Sequence, residues 1–436
     1  MDRKPSALGV STDRSSLPGF LLWCGVLHAF THSFHVVLMP LYLPIQRDFG
    51  FESVAPATLL MTVLMVSYFL PSYVLGVVAD RFDRRLILGM GLVLNGVGFV
   101  GLGLVQSFSG ALLCCVVAGL GGSFYHPAAT SLISQVYSTQ QGRAFGLIGI
   151  GANVGFLGVP IYAGWRVDQL AAVLGDAAWR APVLELGGLA VLVGLGFLVG
   201  TRHWQMPPLR AHKMPVKARL FVSKKAWILF IVAALAFSFR DFAGMGMGSL
   251  GSLFLQQAHG FSAAATGTAL SAIFLAAILS NPLFGKLSDR HRYGWISFVM
   301  GIAGLCIVVF PYLPKGGLIL GFVVYGFFFM ACYPMVEAAL MECVDVAVRG
   351  RVFGLFILIS GLLGNLSHWW IGRWVGGLGV RANEASAYRD AYLGLGTLVW
   401  ISMIGLICLW MIRSQSRPCA LSQSAATERF ADAETS

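Results

Sequence analysis

Three histidines stand near the start of the apolar part of the chain. His28, His32 and His35 are spaced i, i+4 and i+7, which places them on one face of a helix over two turns. An imidazole has an ordinary pKa near ~6.5 and exchanges protons under physiological conditions. A fourth histidine, His126, precedes Pro127 inside another apolar segment. Proline removes an amide and bends a helix, so a proton-binding side chain there would sit where the helix flexes. The matching Tyr333-Pro334 keeps the proline and lacks the imidazole. The i, i+4 pair His28/His32 also has the spacing of a helical zinc pair. No neighbouring carboxylate or cysteine completes that set by sequence, so binding of a proton or small ligand is expected, with neither metal nor cofactor.

Charged residues inside apolar segments are the next candidates. Arg, Lys or Asp at the centre of a membrane span costs at least ~2.5 kcal/mol on insertion scales, so each one needs a reason. Arg240-Asp241 is an adjacent pair of opposite charge well inside such a segment. Consecutive helical residues point about 100° apart, so the two are not expected to neutralise each other face to face. The guanidinium can grip a carboxylate or phosphonate through paired donors, while the aspartate carries a proton or holds the arginine. Glu337, one turn past Pro334, is a second proton-carrier candidate, and Asn153 a weaker ligand contact.

These side chains need a scaffold that is not water-soluble. Apolar residues are 57% of the chain and charged residues 11%, against roughly a quarter charged in soluble domains. Stretches of about 20 apolar residues predict spans near 19–44, 57–78, 86–105, 110–136, 142–164 and 181–201. A second set follows near 226–257, 263–285, 293–313, 316–343, 350–375 and 389–412. The basic, proline-containing break 202–225 divides them. The resulting organisation is a tail over 1–17, a bundle over 18–201, a linker over 202–225, a bundle over 226–412 and a tail over 413–436, with disordered tails expected.

The net charge of +11 does not signal nucleic acid, because the basic residues lie between spans. Arg47, Arg166, Arg180, Lys315, Arg381 and Arg389 fall on one side, Arg240 and Arg373 within spans, and the other Lys and Arg on the opposite side. The positive-inside rule then puts both termini in the cytoplasm. The halves repeat. Gly76-Val-Val-Ala-Asp80-Arg81 returns as Gly285-Lys-Leu-Ser-Asp289-Arg290, and Gly142-Arg143-Ala-Phe-Gly-Leu as Gly350-Arg351-Val-Phe-Gly-Leu. Two related halves facing the same way are a transporter architecture more than an enzyme one.

The string Gly76-x-x-x-Asp80-Arg81-Phe82-Asp83-Arg84-Arg85 resembles the signature of the major facilitator superfamily between its second and third helices, and Gly285-x-x-x-Asp289-Arg290 resembles the weaker copy. Within that superfamily, Gly121-Gly122-Ser123-Phe124-Tyr125-His126-Pro127 and His28-x-x-x-His32 are similar to the fosmidomycin-resistance group. The resemblance implies an all-α membrane protein of twelve transmembrane helices in two six-helix bundles, with a central cavity and alternating access. It makes the two Gly/Asp/Arg strings a conformational latch, in which glycine allows close helix approach and aspartate caps a helix or pairs with arginine.

The expected activity is proton-coupled antiport, exporting a small organic compound or drug. The alternative is proton-coupled uptake of a small organic anion. A membrane sensor or an intramembrane enzyme fits less well, since the chain has no Walker-type loop and no sizeable soluble segment. The expected partners are a small-molecule substrate, the proton and the lipid bilayer, with no nucleic acid; the expected state is a monomer in a bacterial inner membrane.

Overall fold

The computed structural model describes residues 17–71, 74–75, 82–137, 141–204, 220–221, 223–345 and 348–415, and they are helical throughout their regular structure. The N-terminal half contains α1 (Leu17–Ser33), α2 (Tyr42–Asp48), α3 (Ala55–Phe69), α4 (Arg84–Leu104), α5 (Phe108–Ser123), α6 (Tyr125–Val136), α7 (Gln141–Leu174) and α8 (Arg180–Gly200). The C-terminal half contains α9 (Lys224–Leu253), α10 (Ala263–Val309), α11 (Leu318–Phe329), α12 (Cys332–Met341), α13 (Arg349–Asn365), α14 (Ser367–Gly377), α15 (Arg389–Ser402) and α16 (404–415).

Among the described residues, eight helical stretches are long and apolar enough to cross a membrane, and α3 is a shorter apolar helix. Two of the eight are too long for one crossing of a hydrocarbon core about 30 Å thick. The stretch Arg143–Gly200, of 58 residues, is interrupted by a 3₁₀ turn at Gly175–Trp179. The stretch Ala263–Tyr312, of 50 residues, leaves helical geometry at His291.

The helix breaks follow from backbone chemistry. Pro127 and Pro334 cannot donate to the carbonyls of Ser123 and Met330, four residues earlier. The α-helical hydrogen bonding lapses there, at Phe124 between α5 and α6 and at Met330-Ala331 between α11 and α12, while the backbone dihedrals stay in the right-handed helical region. The expected first span over 19–44 is not continuous. Thr31 and Ser33 donate to the carbonyls of Leu27 and Ala29, a back-bonding pattern that bends helices. α1 ends at Ser33, so His35 sits in the turn beyond it.

Among the described residues, the backbone-close contacts between the two halves gather toward one end. Gly164 lies against the Ala263 backbone, Gly267 against the Pro160 carbonyl and Gly372 against Thr58. Ser271 Oγ donates to Leu157 O at 2.6 Å, and Ser252 Oγ to Met39 O at 2.6 Å. Asp168 accepts from Ala264 N, in the first turn of α10, at 3.0 Å. Thr62 Oγ1 donates to Asn365 O at 3.2 Å and accepts from Trp369 N at 2.9 Å. At the opposite end, Gly146, Gly149, Gly285, Gly294, Gly350 and Gly354 have open space where a side chain would go.

Candidate functional site

The first cluster is assembled by α1, α6 and α7. Gly151 and Gly155 on α7 pack against the carbonyls of Gly25 and Ala29, and only a residue without a Cβ allows that approach. The contact brings α7 close enough for His28 Nδ1 to donate to Ile148 O at 2.9 Å. A carbonyl oxygen only accepts, so the His28 proton sits on Nδ1 and the Nε2 lone pair points inward. His28 Nε2 is 3.0 Å from His32 Nε2, and His32 Nδ1 is 3.3 Å from His35 Nδ1. Tyr125 stacks on His28 with centroids 4.8 Å apart and anchors its own hydroxyl on Cys24 O at 2.8 Å.

His126 joins from α6, its ring 5.2 Å from that of His28 and 5.4 Å from that of His32. The side chains form a gradient, with His28 buried, His32 partly buried and His126 exposed although it lies midway along the bundle. The cluster therefore faces open space from inside the protein.

The second cluster belongs to the C-terminal half. Arg240 on α9 is bonded to Asp241 through Nε at 2.8 Å and Nη2 at 2.7 Å, and both residues are buried. This corrects the expectation that adjacent residues cannot pair. Their Cα–Cβ vectors do diverge, but the long arginine side chain curls back to its neighbour. The guanidinium also lies over Tyr333 at 4.3 Å and Phe237 at 5.3 Å, while its Nη1 has no hydrogen-bond partner among the described residues. Glu337, partly buried on α12, interacts electrostatically with both members of the pair.

Between the clusters, Phe156 of α7 stacks on Phe274 of α10 at 4.5 Å with an interplanar angle of 7°, and His32 lies 4.5 Å from Phe156. Asn153 is partly buried on α7, and no hydrogen bond ties it to either cluster among the described residues.

Sequence reasoning missed one buried polar chain. Asn365 Nδ2 donates to Gly361 O at 2.7 Å, leaving its Oδ1 to accept from His368 Nε2 at 3.2 Å. His368 Nδ1 then accepts from Ser249 Oγ at 2.7 Å, and Ser249 accepts from Tyr42 at 3.0 Å. The chain crosses from the N-terminal half to the C-terminal half. Its sequence signal was Asn365-x-x-His368, a polar pair at i, i+3 inside an apolar segment.

For the expected latch, Gly76, Asp80 and Arg81 lie outside the described residues. Asp83 caps α4 by accepting from Arg85 N at 2.9 Å, Arg84 is buried, and Arg85 Nη1 donates to Thr201 O at 2.9 Å. Gly285 faces open space, Arg290 is exposed, and Asp289 is a largely exposed partner of Arg292 at 3.5 Å. Arg292 and Arg413 both hold Glu342, at 2.7 and 2.6 Å, so these contacts stay inside the C-terminal half.

Helices of membrane-spanning length in two halves, with a histidine cluster in one and the buried Arg240–Asp241 pair in the other, are the frame of a multi-pass membrane protein. The chain belongs to the Major Facilitator Superfamily, whose family model matches residues 21–367. It is similar to the cis,cis-muconate transport protein of Acinetobacter baylyi, at 26% identity over 64% of this chain and 68% of that protein. It is also similar to the fosmidomycin resistance protein of Escherichia coli, at 22% identity over 80% and 84%. In fold it matches a bacterial homolog of the human lysosomal transporter Spinster in an inward-facing, unoccupied conformation, with a TM-score of 0.74, 19% identity and coverage of 92% and 98%. The protein is a transporter and not an enzyme.

Proposed function

We propose that this protein is a twelve-span, proton-coupled secondary transporter that exports a small organic compound by alternating access, acting as a monomer in a bacterial inner membrane with both termini in the cytoplasm. The observation that carries the reading is the asymmetric contact between halves. Contacts between them run along α7/α10 and α3/α14, and among the described residues no hydrogen bond between the halves is found around Gly146, Gly285 and Gly354, which we read as the open end. Because the open end is the lysine- and arginine-rich one, the conformation is inward-facing under the positive-inside rule. A span reversal at Gly175–Trp179 and another near His291, together with α1 and α3, bring the count to twelve.

The cargo site we assign to the space between the clusters, with His28, His32, His126 and Asn153 on one side and Arg240 on the other. Glu337 is the proposed proton carrier, a carboxyl group without a cation of its own beside a charge pair that already satisfies itself. The Gly/Asp/Arg strings, Gly76, Asp80, Arg81, Arg84 and Arg85 with Gly285, Asp289 and Arg290, act as the cytoplasmic latch. Similarity to a fosmidomycin resistance protein and to the methylenomycin A resistance protein of Bacillus subtilis favours export.

A second reading, uptake of an organic anion with a proton, is favoured by the unpartnered Nη1 of Arg240 and by similarity to a cis,cis-muconate transport protein. Proteoliposomes with a pH gradient imposed in each direction separate the two. Export by antiport requires cargo movement against the proton gradient, and symport requires movement along it. Cargo flux indifferent to both gradients would reject proton coupling.

A further inference from the structure

We propose that His28, His32 and His126 bind one divalent transition-metal ion of the zinc class, with one coordination position left open to the cavity. One ring nitrogen from each of these three residues lies within 4.8 Å of the other two. Zinc sits about 2.0–2.1 Å from imidazole nitrogen, so neighbouring nitrogens in a tetrahedral shell stand roughly 3.3–3.4 Å apart. The Nε2 atoms of His28 and His32 are already 3.0 Å apart, near that edge length. His126 completes the set by a shift on the order of 1 Å, and it is carried on α6 just beyond the helix break at Phe124.

The outer partners match those of a metal site. Metal-bound histidines fix their tautomer by donating the second ring nitrogen to a carbonyl or another acceptor. His28 Nδ1 donates to Ile148 O, so its Nε2 is held as a free lone pair aimed at the cluster. His32 Nδ1 faces His35 Nδ1 at 3.3 Å, so once Nε2 takes a metal, Nδ1–H donates to His35. His35 thus serves as a positioning residue and not as a ligand. Without metal, the 3.0 Å contact is a hydrogen bond from His32 Nε2–H to His28 Nε2, and a bound ion would replace that shared proton.

The donor set also indicates the kind of ion. Three neutral imidazoles suit zinc, cobalt, nickel or copper over magnesium or calcium, which take oxygen ligands. No carboxylate or thiolate belongs to the group among the described residues, so the bound ion keeps its double positive charge. His126, the exposed member, puts the ion at the edge of open space, where water or an anionic donor group fills the remaining position. If an exported compound supplies that group, the metal anchors an anionic, chelating cargo; this last step rests on the transport reading, whereas ion binding does not.

The experiment uses full-length protein without a polyhistidine tag, stripped of metal by a chelator. Zinc is titrated calorimetrically, and cobalt(II) is followed by its visible d–d absorption. One ion per chain is expected, with the intense bands of tetrahedral cobalt. His32→Gln and His126→Gln should each lower affinity at least tenfold, and His203→Gln should not change it. His126 is exposed and lies on α6, outside the α1/α7 packing, so its variant keeps the test valid if the His32 variant misfolds. Wild-type protein that takes up no ion, or unchanged affinity in the His126 variant, overturns the proposal. Because ion binding is read without transport, its failure is distinguishable from failure of the export reading.

Discussion

Gly267 and Pro160, one from each half, meet so closely that a Cβ on Gly267 would occupy the space of the Pro160 carbonyl oxygen. Nearby, Ser271 Oγ donates to Leu157 O, so backbone faces backbone along this seam between α7 and α10.

Gly267→Leu is therefore expected to prevent closure of the sealed end, because the obstacle is main chain and cannot rotate away. The protein should fold, lose transport and populate a state open at that end. Spin labels at the exposed positions Val173 and Gly316 should move apart in this variant relative to wild type. An unchanged distance distribution with normal transport would count against the seam as a gate.

Arg240→Lys should weaken binding of an anionic cargo. The guanidinium keeps Asp241 on Nε and Nη2 and holds Nη1 without a protein partner. Lysine cannot divide its donors in that way. One lost charge-assisted hydrogen bond, worth about 1.5–3 kcal/mol, corresponds to roughly a tenfold to hundredfold fall in affinity. Comparison of an anionic compound with its neutral ester checks this: the ester's affinity should not change in the variant.

Glu337→Gln is expected to abolish accumulation against a gradient while leaving cargo exchange across the membrane. The amide keeps the shape and loses the proton. Counterflow and proton-driven uptake into the same proteoliposomes separate the two outcomes. Loss of both would make Glu337 a structural or cargo-binding residue instead.

His368→Phe should destabilise the fold. It strips Ser249 and Asn365 of their buried partners, at a cost of about 1–3 kcal/mol for each group left unsatisfied. His368→Gln, which can still donate and accept, should recover part of the loss. Thermal unfolding in detergent reads both, and an unchanged midpoint in the Phe variant would remove His368 from the polar chain that links the halves.

Hydropathy made the spans legible because a bilayer imposes length and apolarity directly on the sequence, and Pro127 and Pro334 marked the helix breaks through their missing amides. The spacing of His28 and His32 also carried through to three dimensions. The approach of His126 did not, since a contact between α1 and α6 depends on helix packing that no local pattern encodes. Arg240-Asp241 was misread for a different reason. The 100° rule describes where side chains leave the backbone, and arginine is long enough to undo it at its tip. His368 escaped notice because it is the lone histidine of its apolar segment, beside Trp369 and Trp370, so no histidine spacing or proline step singled it out.

The seam of glycines, serines and carbonyls also bears on how readily the transporter changes state. A joint closed by interlocked aromatic or aliphatic side chains would have to expose a large apolar area on opening, and would be held shut at about 25 cal/mol for each Å². Here the hydroxyls and carbonyls of the seam can exchange each other for water as the halves part, and the Phe156/Phe274 stack is an aromatic contact that has to open with them. Each polar contact that water can replace lowers the cost of parting the halves, toward the few kcal/mol that a bound solute or a single proton can tip. Substitutions that thicken the seam with apolar side chains would convert a balanced equilibrium into a locked one without touching any residue that meets the cargo.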